Sequence, residues 1–138
     1  MAVVKRIKPT PKALQKEYYS DFSANFLFEK GDLVRITNEE ALKQSLRNIF
    51  LTDEDERFFS TLGAGMKKLL FEPISPLTEN LIETRVNLAI KNYEPRVQIL
   101  ETTVRGDEEL NGYTISIKFS TINTNNPVVL NFILQRVR

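Results

Sequence analysis

The feature that most constrains this chain is a helix whose beginning and end are both written into the sequence between Ser75 and Arg96. Ser75 is suited to accept a backbone N–H as N-cap, and Pro76 falls at the first helical position, where its missing N–H costs nothing. Glu79 and Glu83 lie in the first two turns and Lys91 in the last, the charge order that the helix dipole favours. Leu77, Leu81, Ile82, Val86, Ala89, Ile90 and Tyr93 recur at three- and four-residue steps, which predicts a single buried stripe. Pro95 pushes Glu94 out of the helical region, so the helix stops at Tyr93-Glu94-Pro95-Arg96 and the chain turns straight into a strand.

Around that helix the 138 residues suffice for one compact domain with a real core. The formal net charge of +1 gives no global attraction to nucleic acid or acidic membranes. There is no cysteine, which removes disulfides and thiolate chemistry, and no histidine, the usual general base and commonest zinc ligand. No apolar run approaches the ~18 residues of a membrane span. The amino-terminal stretch lacks the apolar core of a signal peptide, so a cytosolic or assembled-complex protein is expected rather than a secreted one.

Residues 1–17 read as a basic extended arm: Lys5, Arg6, Lys8, Lys12 and Lys16 without periodicity, interrupted by Pro9 and Pro11. Residues 18–138 read as the folded domain. Tyr18 to Phe28 is rich in aromatics; Phe22, Phe26 and Phe28 predict a short strand packed on the core, paired with a second around Leu33 to Ile36. Were these rings exposed, they would mark an interface with another protein. Thr37 followed by Glu40 predicts a capping box, opening a helix that buries Ala41, Leu42, Leu46, Ile49 and Phe50 and ends near Thr52. The acidic run 53–56 reads as a solvated turn, because consecutive acids do not supply the two distinct carboxyl environments of a glycosidase. A tight turn at 62–65 lacks the phosphate-loop pattern, and a short helix follows at 66–71. After the central helix come strands at Val97–Val104 and Tyr113–Ser120, joined by an acidic hairpin at 106–112. Tyr113, Ile115, Ile117 and Phe119 alternate toward the core. A turn at 124–127 leads to a last strand, 128–134. The expected fold is a single α+β domain: a C-terminal antiparallel meander packed by helices, with the long helix ending in a Glu-Pro-Arg corner.

Glu94 is badly placed, since a carboxylate at a helix C-terminus is disfavoured by about 0.3–1 kcal/mol unless a cation is near. Either Arg96 or Lys91 can compensate. One reading is a local ion pair that stiffens the corner. The other is that the corner projects both charges toward a partner, where an arginine engages carboxylates through two bonds.

The run Leu70-Phe71-Glu72, Pro76-Leu77-Thr78 and Asn92-Tyr93-Glu94-Pro95-Arg96 strongly resembles the signature region of the small baseplate wedge protein family of contractile-tailed bacteriophages. That family carries a "lysozyme-like" label and includes the TssE-like component of type VI secretion systems. Tyr19-Ser20-Asp21-Phe22 and the strand Tyr113–Ser120 also fit, so the likeness runs from about Tyr19 to the end. The acidic run 53–56 and its flanks do not match it, and the basic arm 1–17 is longer than the family's minimum. The resemblance implies a non-catalytic structural subunit of the virion tail, assembled in the host cytoplasm. In such a subunit Glu94, Pro95 and Arg96 dock on the helical core bundle of the larger wedge subunits. It also implies that the protein starts the tail sheath. The segments 20–28 and 128–136, with Phe26, Phe28, Val128, Leu130 and Phe132, are the candidates for strand addition with the sheath protein, and the tail tube is a further candidate neighbour. No cofactor, metal, nucleic acid or membrane partner is expected. The alternatives are a peptidoglycan hydrolase, with Glu72, Glu79, Glu94 or the 53–56 acids as its carboxyls, and the equivalent subunit of a secretion or injection device.

Overall fold

A computed structural model of the chain describes residues 16–26, 28–29, 31–53 and 63–136. The N-terminal part forms two small antiparallel pairs: β1 (Ser20–Phe22) with β4 (Arg35–Thr37), and β2 (Phe28–Glu29) with β3 (Asp32–Leu33). Helix α1 (Asn38–Leu51) follows, then α2 (Met66–Leu69) and α3 (Pro76–Tyr93). The C-terminal half is a meander of β5 (Val97–Asp107), β6 (Gly112–Thr121) and β7 (Thr124–Gln135), in spatial order β5-β6-β7. This is the expected α+β arrangement.

The start of α3 is as the sequence dictates: Ser75 Oγ accepts the N–H of Thr78, and Pro76 opens the helix. Its buried side consists of Thr78, Ile82, Val86, Ala89 and Ile90, whereas Leu77 and Leu81 face solvent. The expected stripe is therefore rotated at its first turn. Thr78 can be buried there because its hydroxyl donates to the carbonyl of Pro73 at 2.8 Å.

The capping box expected at Thr37 does not form. Thr37 is paired in β4 opposite Ser20 and makes no side-chain cap bond, while Glu40 instead accepts from Lys43. Asn38, at a φ of +49°, turns the chain into α1. Its side-chain oxygen accepts the N–H of Tyr18, and its amide donates to the carbonyl of Lys16.

The aromatic cluster does not enter the core either. Phe22, Phe26 and Phe28 are 58%, 71% and 72% exposed; among the described residues of this stretch only Tyr19 packs against the core. Pairs of two- and three-residue strands have no inner face deep enough to cover a phenyl ring. Most of the acidic run and the arm through residue 15 lie outside the described residues. Asp53 is described, and it pairs with Lys67.

The core lies between one face of the meander and the two longer helices. Tyr113, Ile115, Ile117 and Phe119 are all essentially inaccessible, as the alternation of β6 requires. Val128 and Leu130 of β7 are also buried, and Phe132 stacks on Phe50 of α1 with ring centroids 4.9 Å apart. The turn between β6 and β7 is Ile122-Asn123, earlier than the sequence suggests. Residues 124–127 continue as strand, next to a register irregularity at Phe119/Thr121.

The two outer strands of the sheet differ. Ile122 N–H donates to Arg96 O, and Arg136 N–H donates to Asn111 O. Alternation along an antiparallel ladder, with the parity of β5 switching at the bulge between Ile99 and Glu101, then assigns the hydrogen-bonding directions. In β7 the even-numbered residues from Val128 onward bond to β6, and Val129, Asn131, Ile133 and Gln135 aim their N–H and C=O groups away from the sheet. Pro127 shares that parity, so its missing N–H falls on the unpaired side, where an edge strand tolerates proline. On β5 the outward N–H of Gly106 is taken by Glu79 Oε1 at 2.7 Å. The β7 edge has no such cover among the described residues.

Candidate functional site

The Glu-Pro-Arg corner is built by three elements. α3 ends at Tyr93, Glu94 N–H still donates to Ile90 O, and Val97 N–H closes the turn on Glu94 O. This geometry folds the Glu94 side chain inward, where it is 2% exposed, and leaves Pro95 exposed. Arg96 Nε donates to Glu94 Oε1 at 2.5 Å and Nη2 to Oε2 at 2.7 Å. Ser45 Oγ of α1 donates to Oε2 as well, at 2.6 Å. Lys91 takes no part in this, so of the two candidate cations the structure selects Arg96.

A second layer fixes the arginine from its other face. Its guanidinium lies 5.0 Å over the ring of Tyr19, whose hydroxyl accepts from Asn123 Nδ2 at the β6–β7 turn. A continuous chain, Asn123–Tyr19–Arg96–Glu94–Ser45, thus ties the sheet, the N-terminal segment, the corner and α1. Arg96 keeps 43% of its side chain accessible. The corner overlooks a hollow of about 300 Å³ bordered by Asp21, Asn48, Thr52 and Tyr93.

Burial pushes the Glu94 carboxyl up, but the hydrogen bonds from Arg96 and Ser45 and the Arg96 charge outweigh it and hold the carboxyl below the usual carboxylate range. At neutral pH the pair is a fixed zwitterion, suited to presenting an oriented arginine and unsuited to donating a proton.

Of the residues expected at the site, the fold brings Glu94, Pro95 and Arg96 together. Phe26 and Phe28 lie apart from them on the N-terminal turn and β2. Val128 and Leu130 are core side chains and Phe132 is half-buried, so β7 offers its backbone edge and the outward residues Val129, Asn131 and Ile133. Ser45, Tyr19 and Asn123 were missed. Ser45 had a signal: it sits three after Leu42 and four before Ile49, a polar residue inside the apolar stripe of α1, and such a position needs a polar partner.

An α+β domain with a rigid charged corner and a sheet edge uncovered among the described residues, and with a buried carboxylate neutralised by arginine, has the properties of an assembly subunit. Comparison with known proteins identifies the family. Residues 37–126 match the family model described as Baseplate wedge protein gp25. The baseplate wedge protein gp25 of Enterobacteria phage T4 is 30% identical over 107 residues, covering 76% of this chain and 81% of that protein. A crystal structure named for a tail lysozyme of Geobacter sulfurreducens superposes with a TM-score of 0.66 at 28% identity, covering 72% of this chain and 92% of the other. A chain of the anti-feeding prophage baseplate shares the fold, with a TM-score of 0.59 at 20% identity and 85% of each chain covered. The protein belongs to the gp25 baseplate wedge family and is a structural subunit of the baseplate of a contractile tail.

Proposed function

We propose that the subunit holds the wedge together through its Glu94-Pro95-Arg96 corner and receives the first sheath subunits along β7. The observation that carries the first half is the corner itself. Glu94 locks Arg96 by two bonds, Tyr19 backs it, and Pro95 and part of the guanidinium stay accessible. An arginine so held loses little freedom on docking, which suits the corner to contact with a larger wedge subunit, and the likeness of residues 92–96 to the family's signature implies a helical bundle as that contact. The uncovered β7 edge supports the second half, because an extended segment of the sheath protein can continue its ladder.

The same geometry argues against hydrolysis. A glycosidase acid needs a raised pKa and a second carboxyl across a cleft. Glu94 is shifted the opposite way, and Glu79 is committed to Gly106 N–H. The purified protein should therefore show no lytic turnover on peptidoglycan. Incorporation of Arg96→Ala into baseplate wedges tests the docking role: a folded variant that assembles as well as the wild type refutes it.

A further inference from the structure

At its C-terminal end the β7 edge meets an apolar groove of about 400 Å³. Its walls are Phe50 and Leu51 from the end of α1, Leu70 and Phe71 from α2 and the residues just after it, and Ile133 and Leu134 from β7. Ile133 and Leu134 are consecutive and point to opposite faces of the sheet, yet both line the groove, and no residue of β5 or β6 does. The groove therefore opens off the free edge of β7, not over either face. One wall is fixed in place: Arg136 donates through Nε and Nη2 to Leu70 O, and its guanidinium lies over the Phe71 ring.

We infer that this groove is a side-chain pocket for the strand that adds to β7, and that it demands a large apolar residue at one register position. The inference rests on the strand-addition reading above. Ile133 and Gln135 aim their hydrogen-bonding groups outward, so Leu134 between them occupies the non-hydrogen-bonded site toward an incoming antiparallel strand. At such sites facing Cα atoms approach to about 4.5 Å and the side chains are closest. Leu134 is a core-facing residue, so the residue placed opposite it also points inward, between Phe50 and Leu70. Three of the groove's apolar side chains, Leu51, Phe71 and Ile133, are 61%, 70% and 53% exposed and wait at its rim. A small or charged residue at that position would leave them wet. A phenylalanine, leucine or methionine would cover them and continue the Phe50–Phe132 stack outward. The occupant is thus an extended segment of a partner, with alternating pattern and one bulky apolar anchor. It is not a helix, which could not use the row of free backbone groups.

The test is retention of the tail sheath subunit on the immobilised full-length protein, with folding of each variant checked by circular dichroism and thermal midpoint. Ile133→Pro, with Asn131→Pro as its replacement should the first not fold, blocks the outward row without touching the bonds to β6. Leu51→Asp and Phe71→Asp change exposed rim residues and leave the edge intact. The expected result is loss of retention in the proline variant and at least a tenfold loss in each rim variant. Loss in the proline variant with unchanged retention in both rim variants overturns the pocket and leaves strand addition standing. Full retention in the proline variants, or no retention by the wild type, overturns both. A wild-type dimer in solution that both proline and rim variants disrupt would mean that a second copy fills the groove, and overturns the assignment to a partner strand.

Discussion

Glu94 and Arg96 are joined by two hydrogen bonds, Nε to Oε1 and Nη2 to Oε2, with only the exposed Pro95 between them. Proline restricts the residue before it to extended geometry and fixes its own φ, so both side chains leave the backbone on the same side with little freedom left to lose. The inner partner is sealed in the core margin and the outer one is half in solvent. Removing either side chain therefore has different consequences.

Arg96→Ala strands a carboxylate that is 2% exposed, leaving it Ser45 and the backbone N–H of residue 96 as donors. The expected loss is about 1–3 kcal/mol, less than the ~3–5 kcal/mol of fully buried pairs because Arg96 is partly solvated. Arg96→Lys should recover only part of it, since an ammonium cannot form the two-bond fork. Urea unfolding of the three proteins measures both differences.

The depressed carboxyl of Glu94 predicts a defined acid sensitivity. The unfolded chain takes up this proton more readily than the folded one. The pair's stabilisation is therefore complete above the ordinary glutamate value of about 4.3 and is lost as pH falls through the lower folded value. Wild-type unfolding free energy should fall between about pH 5 and pH 3 more steeply than that of Glu94→Gln. Parallel slopes in the two proteins would remove Glu94 from the acid response.

The two helix starts should respond oppositely to loss of a hydroxyl. Ser75→Ala removes a cap bond to Thr78 N–H and should cost about 1 kcal/mol. Thr37→Val removes no cap bond, keeps the β-branched shape that suits β4, and should stay within about 0.5 kcal/mol of wild type. Thermal midpoints of the two variants make the comparison.

Gly106 and Gly112 mark close approaches in the sheet. A Cβ at Gly112 would overlap the backbone carbonyl of Leu134 in β7, and one at Gly106 would overlap the Ile74 side chain. Ile74 can shift and a paired strand cannot. Gly106→Ala should therefore cost about 1–3 kcal/mol and Gly112→Ala more than that. Faster hydrogen exchange along β6 and β7 should appear only in the Gly112 variant.

Local chemistry was legible wherever neighbours in sequence decide the outcome. The α3 boundaries, the alternation of β6 and the buried face of α1 all follow from caps, proline and periodicity acting over a few residues. Thr37-x-x-Glu40 carried the same kind of signal and failed, because the pairing of Ser20 with Thr37 claimed that residue for a strand. The aromatic run 18–28 failed for a related reason: apolar composition signals burial only if some surface is there to bury against, and strands of two or three residues provide none. In the site, the Glu94–Arg96 pair could be anticipated from their spacing. Which partner Ser45 would meet, and that Tyr19 would back the arginine, could not, because the two residues come from 49 residues before Glu94 and 77 before Arg96.

By itself the sequence determined where the long helix starts, where Pro95 stops it, and which residues of β6 face inward, since each depends on steric and hydrogen-bonding rules that act over one or two turns of chain. The burial of Glu94, its choice of Arg96 over Lys91, and the free β7 edge beside a preformed groove were decided only by tertiary structure. Burial, ion pairing and edge exposure are properties of which surfaces meet, and no local rule specifies that.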